Sequence, residues 1–121
     1  MQAILRDLNQ ACHDINASAL ISNDGLVIAS ILPATIDEDA LGSMTAALLS
    51  ISVRSSKNLS KSVLEQVIIK NTSGYIIISQ VNEEMALTVL AEQHADLNRI
   101  TQACQHWLTQ QNTTFLFEPA Y

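Results

Sequence analysis

Asp37-Glu38-Asp39-Ala40-Leu41-Gly42-Ser43-Met44-Thr45-Ala46-Ala47-Leu48-Leu49-Ser50-Ile51-Ser52-Val53-Arg54-Ser55-Ser56-Lys57-Asn58-Leu59-Ser60-Lys61 is the stretch on which the fold of this chain turns. Asp37 is suited to cap a helix, since its carboxylate can accept from the first free backbone N–H groups. Glu38 and Asp39 follow in the first turn, and Lys57 and Lys61 come near the end, each at the pole of the helix dipole that favours its charge. No proline interrupts, so the stretch predicts one helix of about six turns. At roughly 100° per residue, Leu41, Met44, Leu48, Ile51, Ser55 and Leu59 form a broad stripe expected to cover one face of a sheet. Gly42, Ala46, Leu49 and Val53 form a second, narrower stripe of mostly small residues, expected to let a helix of a second subunit approach. The remaining arc carries Asp39, Ser43, Ser50, Arg54 and Lys57.

Outward from this helix, the rest of the chain reads as short elements. Residues 2–15 place Ile4, Leu5, Leu8, Ala11, Cys12 and Ile15 on one helical face. Ala17–Ser22 and Leu26–Leu32 are apolar runs around Asn23-Asp24-Gly25, a β-hairpin signature, and Pro33 ends the second run. Beyond the helix, Val63–Lys70, Tyr75–Val81 and Met85–Ala91 predict three strands rich in β-branched residues. Asn71-Thr72-Ser73-Gly74 and Asn82-Glu83-Glu84 supply the turns of an antiparallel meander. Asp96 caps a last helix whose inner face carries Leu97, Ile100, Cys104, Trp107 and Leu108.

The order is helix, strand, strand, helix, then three strands and a helix. It predicts an α+β fold with one five-stranded antiparallel sheet. Several strands are apolar on both alternating sets, so helices are needed on both faces. The first and last helices are expected to share one face and the long helix to take the other. Residues 1–111 are expected to form the domain and 112–121 a C-terminal tail.

Composition limits the function. The chain has 121 residues, 48% of them apolar and 15% charged, which fits one domain with a real core. The net charge of −6 argues against nucleic acid and against anionic membrane surfaces. No apolar run reaches the roughly 20 residues of a membrane span, and no secretory leader is evident, so a cytoplasmic location is expected. Arg54, Lys57, Lys61 and Lys70 nevertheless gather four of the six basic residues into one segment. Cys12 and Cys104 lack the paired spacing of a zinc site and read as core residues. There is no phosphate-binding glycine loop, no nucleophile elbow and no telling Cys–His spacing. Neither cofactor nor metal is expected, and an intrinsic catalytic site is disfavoured.

The segments Asp24-Gly25-Leu26-Val27-Ile28-Ala29-Ser30, Leu32-Pro33 and Glu38 to Leu49 resemble a bacterial Roadblock domain. Leu64 to Lys70 and Gly74 to Ile78 are similar to that family's third and fourth strands. The resemblance covers residues 3–108 and extends to the dynein light chains and to gliding-motility proteins of the MglB type. It implies a Roadblock/profilin-like fold and a homodimer with long helices side by side and third strands edge to edge. It also implies a small Ras-like GTPase as partner, for which the chain acts as regulator or scaffold; some members of the family stimulate GTP hydrolysis by repositioning the partner's own switch residues. On that footing Gly42, Ala46, Leu49, Val53, Val67 and Ile69 are expected at the dimer interface, and Ser43, Ser50, Arg54 and Lys57 on the surface that meets the GTPase. A PAS-like or GAF-like ligand sensor is the alternative. It would need a polar-lined cavity, for which Ser30, Thr88 and Tyr75 are the candidates.

Overall fold

The computed structural model describes residues 2–117, with side chains for residues 2–110. The elements are α1 (Gln2–Ala11), β1 (Ile15–Ser22), β2 (Val27–Ile31), α2 (Glu38–Ser60), β3 (Gln66–Asn71), β4 (Gly74–Gln80), β5 (Met85–Glu92) and α3 (Leu97–Phe117). The strands form one antiparallel sheet in the order β2-β1-β5-β4-β3. This is the expected element order and sheet.

The turns follow from side chains that satisfy their own backbone. Asn71 Oδ1 accepts from the N–H groups of Ser73 and Gly74, and Asn82 Oδ1 from those of Glu84 and Met85. Asp37 caps α2 by accepting from Asp39 and Ala40, and Asp96 caps α3 through Asn98 and Arg99. Lys61 closes α2 in the left-handed conformation, with φ of 52°, and its N–H donates to Ser56 O.

Alternation along the strands divides the core into two layers. On one face, Leu20, Ile77, Leu87 and Val89 pack against Leu5 and Leu8 of α1 and Ile100, Cys104 and Trp107 of α3. The Trp107 indole N–H donates to Ile4 O at 3.1 Å and fastens the two helices together. On the other face, a smaller cluster of Leu49, Ile78 and Ala86 lies under α2, with Leu48, Leu64, Val67 and Ile76 around it. Thr45 and Thr88 hydroxyls meet there at 3.2 Å, both buried.

Two expectations are corrected. The stripe expected to cover the sheet does not: Met44, Ile51 and Leu59 are 64%, 56% and 84% exposed. The buried positions of α2 are Gly42, Thr45 and Leu49: two come from the second, narrow stripe and Thr45 from neither. The broad stripe is therefore one flank of the helix, and the narrow stripe is split between the inward face, Gly42 and Leu49, and the other flank, Ala46 and Val53. The apolar count misses this because a glycine and a threonine carry the contact with the sheet. The third strand begins at Gln66 rather than Val63, which stands 89% exposed in the connection from α2. α3 is described through Phe117, so its helix runs past residue 111, the expected start of the tail; residues 118–121 lie outside the described residues.

Candidate interaction surface

α2 is positioned by contacts that run across the strands. A Cβ built on Gly42 would lie 2.1 Å from Gly25 O, so the helix sits directly on the β1–β2 turn, where Gly25 has φ of +89°. Three residues on, Thr45 meets Thr88 of β5. Leu49 then packs between Ala86 of β5 and Ile78 of β4. The free edge of β3 is about two strand spacings further, roughly 10 Å. The last residues of α2, Lys57 to Ser60, are all exposed.

This crossing gives α2 two unlike flanks. Met44, Ile51 and Leu59 form one exposed apolar ridge, with half-buried Leu48 beside it. Ser55 interrupts the ridge, but its hydroxyl donates to Ile51 O at 2.8 Å and so asks for no outside partner. The opposite flank carries Ala46 and Val53 and borders a groove along the end of the sheet. The outward arc between them holds Ser43, Ser50, Arg54 and Lys57, all exposed.

The residues named from sequence thus separate. Gly42 and Leu49, expected at a subunit seam, are buried inside this chain, Gly42 on Gly25 and Leu49 on Ile78 and Ala86. Ala46 is half-buried and Val53 41% exposed on the groove flank. Val67 and Ile69 are half-buried on the α2 face of β3. The signal for the true inward face was present in Thr45, three residues from Gly42 and four from Leu49, but a hydroxyl is not counted as apolar.

Exposed large apolar residues are distributed unevenly. Among the described residues they fall on α2, on Val63 after it, on Ile68 of β3, and on Leu26 and Ile28 around the start of β2. None lies on α1, β4 or β5, nor on α3 as far as residue 110. The two sheet edges also differ. β2 has five residues, its pairing with β1 is bulged between Leu20 and Ile21, and Gln2 Nε2 donates to Ser30 O on it at 3.1 Å. These are features that discourage strand addition. β3 pairs with β4 in unbroken register and has Ile68 exposed.

Arg54, Lys57 and Lys61 are exposed, and none of them forms an ion pair among the described residues. The candidates for a sensor cavity are not brought together. Thr88 is occupied by Thr45, Ser30 donates to Glu38, and Tyr75 packs on the opposite face with the α1–α3 core. No group of three or more metal-ligating side chains occurs among the described residues, and no described helix is long and apolar enough to cross a membrane.

Residues 1–91 match the Roadblock/LC7 domain family. An uncharacterized protein of Methanocaldococcus jannaschii, MJ0714, is 32% identical over 97 residues, covering 80% of this chain and 80% of that protein. Among solved structures, Myxococcus xanthus MglB superposes with a TM-score of 0.87 at 16% identity, over 94% of this chain and 93% of that one. A Roadblock/LC7 domain from Streptomyces avermitilis superposes with a TM-score of 0.85 at 18% identity, over 96% and 98%.

Proposed function

Since this chain belongs to the Roadblock/LC7 domain family, we propose that it acts as a noncatalytic homodimer that binds a small Ras-like GTPase, as a regulator or scaffold. The observation that supports the dimer is that, among the described residues, five of the eight exposed large apolar side chains lie on α2 and β3: Met44, Ile51, Val53, Leu59 and Ile68. A two-fold axis beside β3 joins the two β3 edges into one sheet. It sets the two α2 helices antiparallel, meeting near Ser55. The ridge of Ile51, Ser55 and Leu59 then meets its copy, and Ser55 lets the helices approach closely. Val67 and Ile69 continue the seam along the sheet. Such an interface can bury more than the roughly 1,000 Å² expected of a specific contact.

Dimerisation repeats the outward arc of α2 on one side of the assembly. Ser43, Ser50, Arg54 and Lys57 appear twice, giving local positive charge on an acidic protein. That suits the acidic or phosphate-bearing switch face of a nucleotide-loaded GTPase and speeds encounter. Discrimination between GTP and GDP would lie in the partner, whose switch loops order around the γ-phosphate. The family resemblance supports a role in promoting GTP hydrolysis through those loops.

Sedimentation and calorimetry test the reading. Ile51→Arg should convert the dimer to monomer, because a large charge would be desolvated between close helices, whereas Ala46→Arg on the other flank should leave the dimer intact. The GTPase encoded nearest the gene should bind more tightly with a GTP analogue than with GDP, and Arg54→Glu with Lys57→Glu should weaken that binding at least tenfold. A wild-type monomer at tens of micromolar, or GTPase binding indifferent to the double charge reversal, would refute the dimer or the surface respectively.

A further inference from the structure

The flank of α2 away from the ridge borders two clefts that share Val53 and Gln80 and so form one continuous groove. The first, of about 390 Å³, has Ala46, Leu49 and Val53 as its apolar wall and Asn23 and Gln80 opposite. The second, of about 590 Å³, continues past Val53 to Val63 and Leu64, with Lys57 and Lys61 on its rim. We infer that this groove is a docking site for an amphipathic peptide segment whose acidic end lies against Lys57 and Lys61.

Charge selects the occupant. Among the described residues no acidic side chain lines either cleft. Lys57 and Lys61 form no ion pair among the described residues, so their charges are available to a ligand. Arg54 adds a third cation on the wall of the first cleft. The far end differs. The Asn23 N–H donates to Glu84 O at 2.9 Å and ties the β1–β2 turn to the acidic Glu83-Glu84 turn. A segment acidic along its whole length is repelled there, so the groove imposes a direction: neutral at Asn23, acidic at Lys57 and Lys61. The wall of alanine, leucine and valine takes apolar side chains spaced along one face of the segment, the usual helix-in-groove arrangement. This goes beyond the GTPase reading and does not rest on it, because the groove is built within one chain on the flank opposite the proposed subunit seam.

The probe is a fluorescein-labelled 14-residue peptide with leucines at positions 3, 6, 7 and 10, glutamate at the other positions of one half and glutamine at those of the other. Its partner is the full-length protein. Fluorescence anisotropy should show saturable binding that weakens at least tenfold between 50 and 500 mM salt. A lysine-for-glutamate peptide should bind at least tenfold more weakly. The surface variant Lys57→Glu/Lys61→Glu should lose the glutamate peptide and gain the lysine one, a reversal that misfolding cannot produce. Val53→Asp should abolish both while the circular dichroism melt remains cooperative. In amide spectra the peptide should shift Asn23, Val53, Leu64 and Gln80. Equal binding of both peptides, or binding unchanged in the charge-reversed variant, overturns the inference. So do concentration-dependent shifts at the same four amides without peptide, which would make a second copy of this chain the occupant.

Discussion

Replacement of Gly42 by alanine sets helix propensity against packing, and the structure decides the sign. In an exposed helix interior, glycine to alanine is favourable by about 1 kcal/mol. At Gly42 the new methyl carbon would lie 2.1 Å from Gly25 O and 3.1 Å from Gly25 C, with Val27 Cγ2 at 3.5 Å. An ordinary contact between a methyl carbon and an oxygen is more than 3 Å, so about 1 Å of movement is required. The obstacle is backbone in a turn whose Gly25 has φ of +89°, not the end of a flexible side chain. Overpacking costs about 1–3 kcal/mol; a 2.1 Å approach to backbone belongs in the upper part of that range, about 2–3 kcal/mol, and so outweighs the propensity gain. A net loss of about 1–2 kcal/mol corresponds to a fall in Tm of roughly 3–10 °C for a domain of this size. The assay is thermal unfolding by circular dichroism, with a control at Ala47, where Ala47→Gly on the exposed side of the same helix should lower Tm by propensity alone. Lifting α2 also tilts the ridge, so the dimer of Gly42→Ala should dissociate at higher concentration than wild type. A Gly42→Ala protein as stable as wild type, or more so, would refute the seating of α2 on the β1–β2 turn.

Thr45→Val leaves the buried Thr88 hydroxyl without its partner, so urea unfolding should show a loss of about 1–3 kcal/mol, and adding Thr88→Val should recover most of it. Cys104 has its pKa raised from 9.0 to about 12, first by burial and second by the nearby Cys12 thiol. The native state therefore holds this proton more firmly than the unfolded chain. The resulting stability is fully present below about pH 9 and is lost as pH rises toward about 12; Cys104→Ser should flatten that part of the pH–stability profile, and a slope identical to wild type would contradict it. By the same argument Cys104 should resist iodoacetamide at pH 8 in the native protein and react once urea unfolds it, with modification read by mass spectrometry.

The local chemistry of this chain was written in its sequence. Asp37 and Asp96 cap helices, Asn71 and Asn82 make turns, and Cys12 and Cys104 are buried in the core, because each acts through neighbours a few residues away or through a strong periodic pattern. The element order and the two-layer burial also followed, since strands apolar on both sets cannot be left bare on either face. What the sequence could not rank was the rotation of α2. Its apolar residues are spread around more than half the helix, so periodicity alone allows several inward faces. The choice fell to Gly42, Thr45 and Leu49, and two of these contribute no large apolar side chain. Their role depends on partners far along the chain: Gly25 seventeen residues before, and Thr88 forty-three residues after. Only tertiary structure brings those partners together. Once it does, the rotation is fixed by contact, leaving Ile51 and Leu59 on one flank and Val53 above the groove on the other.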